Sequence, residues 1–489
     1  MRITYIANAL SIILSYLNIV ILSPVVVALI CRDFKSIIPF VVASLIAKIL
    51  SLILKYCVKG VKELENLNDI KKAEALFIVA TSWMMFGLIS AIPYLFYGLS
   101  PLNALFEAVS GITTTGATII TSFNYPHAFF FWRSLTQWLG GLGIIVLFIA
   151  ILPQFAVAGR QMFFAEAPGP TEDKFTPRIR NTASSLWKVY TFLTLVLIAL
   201  LMIAGMPVFD AVCNALSTLA AGGFSPNPQS IMGYNSNVII WIILIFMFFA
   251  GASFNLQYKV ITKHNPLIFF KSEEFKFYLF AVLIMGGLIA TSLVFNNHYS
   301  IFSGITHSFY QVISISTSTG STSIDYVSWD LMSRVLLFMV MFMGSCSSSA
   351  GGGIKMTRWI LVFKSLKAEL VRILHPNAVL NIKIDNNTIP TEVIRQVIIY
   401  VFYYFMIFGL FAVLLTLLEK NTTIGICSSI TAIGNIGPGF GDTIGPLGSF
   451  ANLHLLSKII MIIGMLVGRL ELIPFFVMLE PDFWNFKDK

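Results

Sequence analysis

The stretch SGITTTGAT, Ser110–Thr118, decides the fold because its plan occurs four times. STLAAGGFS (Ser217–Ser225), SISTSTGST (Ser314–Thr322) and TAIGNIGPG (Thr431–Gly439) each place a glycine six positions after a hydroxyl residue. The glycines are Gly116, Gly223, Gly320 and Gly437, spaced by 107, 97 and 117 residues. Each copy lies between apolar runs of membrane-spanning length, so one unit of roughly a hundred residues recurs. Four copies on one chain can surround one axis and offer it four sets of backbone carbonyls.

The composition supports a membrane setting. Of 489 residues, 57% are hydrophobic and 11% charged, with a mean hydropathy of +0.84. Soluble chains average about 45–50% apolar and about 25% charged. Runs such as Ile6–Ile30, Ala75–Tyr97 and Val397–Leu418 reach the ~20 residues that span a bilayer. The expected class is an all-α polytopic membrane protein. The start MRITYIANAL leads into a long apolar run without a small-residue cleavage pattern, and reads as a retained first helix. The five cysteines are scattered without metal-type spacing and read as packing residues.

The net charge of +9 raises nucleic acid as a partner, but its distribution points to topology instead. Residues 55–74 carry five Lys/Arg, 157–184 four, 259–276 four and 355–395 seven; 99–127, 206–236, 296–332 and 419–452 carry only Lys420. Because positive residues collect on the cytoplasmic side, all four glycine motifs should open outward. Glu107, Asp210, Asp325, Asp330, Glu419 and Asp442 would then give a mouth that concentrates cations, unless they are ordinary loop acids.

Each unit orders a long apolar helix, a short segment, the glycine motif and a second apolar helix. The units fall at 74–156, 184–260, 277–357 and 391–480, after an N-terminal hairpin in 1–60, with a cytoplasmic linker at 358–390. Short segments such as Leu102–Thr113 and Phe209–Leu219 rise about 1.5 Å per residue and cannot cross a core of roughly 30 Å. They suit re-entrant half-helices. NALFEAVS (Asn103–Ser110) beside DAVCNALS (Asp210–Ser217) makes the first two units the most alike. Non-helical backbone at membrane depth is tolerated where it is buried or lines a wet cavity, and carbonyls there replace an ion's water shell. The carbonyls expected to carry ions belong to Thr114, Thr115, Gly116, Ala221, Gly222, Gly223, Ser318, Thr319, Gly320, Asn435, Ile436 and Gly437. The alternative is close helix packing on small residues.

With NIGPG in the last copy, the four motifs resemble the selectivity-filter segments of the Trk/Ktr/HKT superfamily of potassium transporters. The N-terminal hairpin and the length resemble its bacterial TrkH branch, over essentially the whole chain. The resemblance implies four M1–P–M2 pore repeats around a central ion pathway, potassium as the transported ion, and no organic cofactor on this chain. It also implies a homodimer in the bacterial plasma membrane with both termini cytoplasmic, and a TrkA-like nucleotide-binding ring as regulatory partner. GSCSSSAGGGIK, Gly344–Lys355, resembles the family's intramembrane gating loop: Gly344, Ser345, Cys346, Ser347, Ser348, Ser349, Ala350, Gly351, Gly352, Gly353 and Lys355. Ser345, Ser348 and Ala350 depart from the more usual Gly, Gly and Thr. Such a Gly/Ser run interrupts a helix.

Arg469, deep in GMLVGRLELIP, costs about 2.5–3.5 kcal/mol at a bilayer centre and needs a cavity or a partner. The resemblance makes it a pore cation near the gating loop; the alternative is pairing with Glu471. Lys355, Arg358, Lys364, Lys367 and Arg372 should lie at the cytoplasmic face, to dock the ring, to touch anionic lipid or simply to follow the positive-inside bias. A sodium- or proton-coupled symporter of another class would have inverted repeats and midplane ionisable groups. This chain has direct repeats and almost no intramembrane acids. A membrane-embedded enzyme would need a motif such as HExxH or GxSxG, which the spans lack.

Overall fold

Inside lipid every backbone N–H must find a partner within the protein, so the long apolar runs become helices. α1 (Ile3–Ile21) and α2 (Ser23–Ile30) form one N-terminal span that breaks near Pro24, where a backbone donor is missing and Ser23 Oγ donates to the Val20 carbonyl. α3 (Ile37–Cys57) returns against α1. The computed structural model describes residues 2–58, 72–143, 179–378, 380–470, 477–478 and 480–484.

Four repeats follow. The first has α4 (Lys72–Phe96), α5 (Pro101–Ile112) and α6 (His127–Gly141); the second has α7 (Ile179–Ile203), α8 (Val208–Leu219), α9 (Asn237–Gly251) and α10 (Phe254–Lys263). The third has α11 (Glu273–Phe295), α12 (Ile301–Ser316), α13 (Leu331–Val340) and α14 (Met356–Leu374). A small hairpin, β1 (Lys383–Ile384) and β2 (Asn387–Thr388), leads to the fourth, with α15 (Thr391–Glu419), α16 (Thr422–Gly434) and α17 (Leu455–Leu470). The architecture is an N-terminal hairpin followed by four M1–P–M2 repeats.

Polarity is distributed for a lipid solvent. Ile203, Phe295, Phe402 and Leu417 are exposed on the outer helices, whereas Ser110, Thr113, Ser314, Ser428 and Thr431 are buried at the centre. Among the described residues, six helical spans are long and apolar enough to cross a membrane. The short helices α5, α8, α12 and α16 have 12, 12, 16 and 13 residues. At about 1.5 Å per residue they stop inside a bilayer. Proline at the first position of α5, and Ser300 and Asn421 accepting from backbone N–H groups at α12 and α16, fix their starts.

Two second helices depart from continuous runs. The apolar α9 and the more polar α10 meet at a bend of 103°. The cause is a tertiary contact: the carbonyls of Ala250 and Gly251 accept from Ala350 N (3.2 Å) and Cys346 N (2.9 Å) instead of continuing a helical ladder. In the third repeat the helix stops at Val340 and resumes at Met356, and the Gly/Ser segment fills the interval.

Candidate functional site

Each short helix ends in the same backbone pattern. Thr114, Ala221, Ser318 and Asn435 are left-handed, with φ of 56°, 56°, 57° and 52°; two residues later Gly116, Gly223, Gly320 and Gly437 have φ of 79°, 74°, 72° and 98°. A second left-handed residue so soon after the first suits glycine. The spacing of six has a common cause. The amide just before each glycine donates to the carbonyl of the hydroxyl residue: Thr115 to Ser110 (2.9 Å), Gly222 to Ser217 (2.9 Å), Thr319 to Ser314 (2.8 Å) and Ile436 to Thr431 (3.0 Å).

The four segments close into a ring. A Cβ at Gly116 would come within 3.0 Å of the Gly222 carbonyl oxygen, one at Gly223 of Thr319 O, one at Gly320 of Ile436 O, and one at Gly437 of Thr115 O. Each glycine therefore faces the carbonyl preceding the next repeat's glycine, and the fourth repeat meets the first. Thr114, Thr115, Ala221, Ser318, Thr319, Asn435 and Ile436 are buried here. The Thr114 hydroxyl is buried with no hydrogen-bond partner. Above the ring lies a cavity of about 330 Å³ whose lining includes Gly116, Gly223, Gly320 and Pro438.

The segments are not chemically equal. Ser110 Oγ donates to Ala117 O (2.5 Å) and Ser314 Oγ to Ser321 O (2.6 Å), and the pairs Thr113–Thr115 and Thr317–Thr319 join hydroxyls at 2.8 Å. Ser217 and Thr431 instead turn back to Asn214 O and Ser428 O in their own helices. The first and third segments are thus the matching pair in bonding, although the first and second short helices look most alike in sequence.

Beneath the ring sits Gly344–Lys355. Gly352 N donates to Ser318 Oγ (2.6 Å), and a Cβ at Gly351 would meet Thr317 O. Ser348 O accepts from Phe254 N (3.0 Å), while Lys355 Nζ folds back onto Gly351 O. Glu274, at the start of α11, accepts from Ser347 N (2.6 Å), Thr357 N (3.2 Å) and the Thr357 hydroxyl. Arg469 Nη1 donates to Ala350 O (3.0 Å), and Nη2 donates to the carbonyls of Gly140 and Gly141 at the end of α6. Its cation thus joins the segment to the first repeat; Glu471 lies outside the described residues.

The sequence profile of the TrkH family, a family described as cation transport protein, matches residues 45–485. This chain belongs to the TrkH family. It is 36% identical over 426 residues to the Trk system potassium uptake protein TrkH of Salmonella typhimurium, covering 86% of this chain and 87% of that one. It is 32% identical over 474 residues to the Trk system potassium uptake protein TrkG of Escherichia coli, covering 95% of each. The crystal structure of the potassium transporter TrkH from Vibrio parahaemolyticus superposes with a TM-score of 0.87 at 29% identity, over 99% of this chain and 100% of that one.

In this TrkH-family chain Glu107, Asp210 and Asp330 are engaged within the protein rather than free at a mouth. None of the six outer acids is among the residues lining the cavity. Glu107 is fully buried, ion-paired with Arg133 Nε at 2.8 Å, and accepts from Thr118 Oγ1 and Ile119 N. Asp210 accepts from the Tyr234 hydroxyl, and Asp330 caps α13. Partial burial raises the Asp330 carboxyl, but hydrogen bonds from Ser333, Ser292 and Asn296 outweigh it and hold the group below its usual range. These acids hold helix ends and loops together. The basic cluster after the Gly/Ser segment is also less available than expected. Arg358 is buried with its guanidinium 3.7 Å from the Tyr400 ring, Lys364 pairs with Glu273, and Arg372 pairs with Glu369; Lys367 is exposed.

Three buried polar residues escaped the sequence reading. Arg133 and Gln137 lie one turn apart on α6, and Lys458 on α17 donates to Asn103 Oδ1 (2.9 Å) and Ala451 O (2.7 Å). The cost argument applied to Arg469 applies equally to lone cations in HAFFFWRSLTQWLGG and LLSKIIMIIG. Gln137, being uncharged, carried no such flag.

Proposed function

We propose that this protein takes up potassium across the bacterial plasma membrane, with the four glycine segments as its selectivity filter. The observation that carries the reading is the closed ring, in which each glycine leaves room for the neighbouring repeat's carbonyl. The ion ligands are the carbonyls of Thr114 to Gly116, Ala221 to Gly223, Ser318 to Gly320 and Asn435 to Gly437, which replace hydration without adding fixed charge. The relatives named as potassium uptake proteins support potassium as the ion. Uptake is driven mainly by the membrane potential, about 2.3 kcal/mol per charge per 100 mV.

Gly344–Lys355 is the gating loop. Its contacts with Thr317, Ser318 and Asn435 support a position that blocks the exit from the filter. Arg469 stabilises that closed position and opposes cation passage by its charge. Opening is assigned to a TrkA-like cytoplasmic ring, and the functional unit to a homodimer; Leu366, Leu370 and Ile373, exposed on α14, offer an apolar face for such a partner. Both termini are assigned to the cytoplasm.

The test is uptake of radiolabelled rubidium into liposomes holding this chain under an inside-negative potential, with potassium and sodium as competitors. Uptake blocked by potassium but not by sodium, with that preference lost in Gly116→Ser, is expected. If the wild-type chain stays silent, the ring is added or Ser345–Gly351 deleted. Continued silence with verified insertion would overturn the proposal.

A further inference from the structure

The second filter segment, Ala220-Ala221-Gly222-Gly223, has no side chain able to brace itself. The first and third brace themselves with threonine and serine hydroxyls, and the fourth uses Asn435, whose amide donates to Thr115 Oγ1 (2.9 Å) and Met465 O (3.0 Å). The second borrows its support from α6 of the first repeat. Gln137 Nε2 donates to Gly222 O at 2.6 Å, and Gln137 Oε1 accepts from Phe224 N at 3.1 Å. One buried amide thus spans the filter glycine Gly223, holding the backbone on both sides.

Gly222 itself has no backbone need to be glycine, since it is absent from the positive-φ positions. What forbids a side chain is the amide: a Cβ there would lie 2.7 Å from Gln137 Oε1 and 2.8 Å from its Nε2. The other filters make the opposite choice at the glycine position, and two of the other second helices do so at the glutamine position. Thr115, Thr319 and Ile436 stand where Gly222 does. Gly251 in α9 and Gly468 in α17 face the filters as Gly141 and Gly140 do in α6. Counting back from them by the same intervals puts Met247 and Met465 where Gln137 stands. Met247 touches the third filter through Ser321, whose hydroxyl lies 3.2 Å from its sulfur.

We infer that Gln137 is the positioning residue of the second filter segment, its amide taking both the volume and the hydrogen bonds of the side chain that Gly222 lacks. This rests on the filter reading above. Gln137 acts through the Gly222 carbonyl and need not touch the ion.

The experiment compares rubidium uptake, and its competition by potassium and sodium, in the full-length chain, Gln137→Met, Gly222→Thr and the double variant, with Gly223→Ser as the filter control. The double variant gives the second filter the Met and Thr that occupy these two positions, Met247 and Thr319, at the third. Each single change should lower the preference for potassium over sodium about tenfold, the size expected for losing two net hydrogen bonds, and the double variant should recover most of it. If Gln137→Met fails to reach the membrane, Gly222→Ala, which displaces the amide without removing it, takes its place. Singles that keep the wild-type preference while Gly223→Ser loses it would overturn the role of Gln137 and leave the filter standing. A double variant no better than the singles would also overturn it, as a merely structural defect does not cancel. If Gly223→Ser keeps the preference as well, the filter reading falls, and this inference with it.

Discussion

At Gly320 two requirements meet, a φ of 72° and a neighbour, Ile436 O, where a Cβ would stand. Left-handed geometry alone costs a non-glycine residue roughly 1–2 kcal/mol, and the clash must move a carbonyl of the ring. Gly320→Ala should therefore cut rubidium uptake at least ~tenfold, a loss of order 1.4 kcal/mol or more. Gly287→Ala in α11, where a methyl meets nothing within 4 Å, should leave uptake unchanged in the same assay. Arg133 is governed by burial rather than shape. It is 2% exposed, pairs with a fully buried Glu107, and lies 4.0 Å from the Phe224 ring while donating to Ser225 O (3.4 Å). Arg133→Leu leaves a buried carboxylate without its counter-charge and should destabilise the fold by about 3–5 kcal/mol. Thermal unfolding of the detergent-solubilised protein reads this directly. Replacing both partners with apolar residues should cost less than Arg133→Leu, because no charge is then stranded.

The break in the third repeat's second helix is held partly by contacts away from the ring, so its release can be tested apart from the filter segments. Glu274 gathers Ser347 N, Thr357 N and the Thr357 hydroxyl on one carboxylate. Glu274→Gln weakens that clasp without touching the ring. Under the gating proposal, rubidium uptake by the chain without its partner should rise several-fold, with potassium still preferred over sodium. An unchanged rate would show that this clasp does not limit opening. The break itself was legible as GSCSSSAGGGIK, because glycine and serine disfavour helix wherever they cluster. The bend between α9 and α10 was not, since AGAS within an otherwise apolar run carries little local preference. It exists because the Gly/Ser segment captures the carbonyls of Ala250 and Gly251, a contact between residues about a hundred positions apart. For the same reason the four glycines could be read from spacing, whereas the acids at the mouth could not. Whether Glu107 faces water or Arg133 is decided by packing.

Orientation belongs to the whole molecule and can be read chemically. Cys31, just after α2, and Cys57, at the far end of α3, are exposed, while Cys213, Cys346 and Cys427 are buried. With a cytoplasmic N-terminus, a membrane-impermeant maleimide should label Cys31 on intact spheroplasts and Cys57 only on inverted vesicles. The reverse pattern would turn the proposed topology over. The N-terminal span, the loop order and the ring are tied together, so this one result also places the cavity above the glycines on the outer or inner side. The ring has a genetic consequence too. Its four walls are encoded at four separate places in one reading frame, and they are braced in three ways: the first and third by hydroxyls, the fourth by Asn435 and the second by a glutamine lent from next door. A codon change alters one wall and spares three, whereas in a pore built from four identical chains the same change strikes every wall at once. Ion preference in such a protein is open to inheritance in quarter steps.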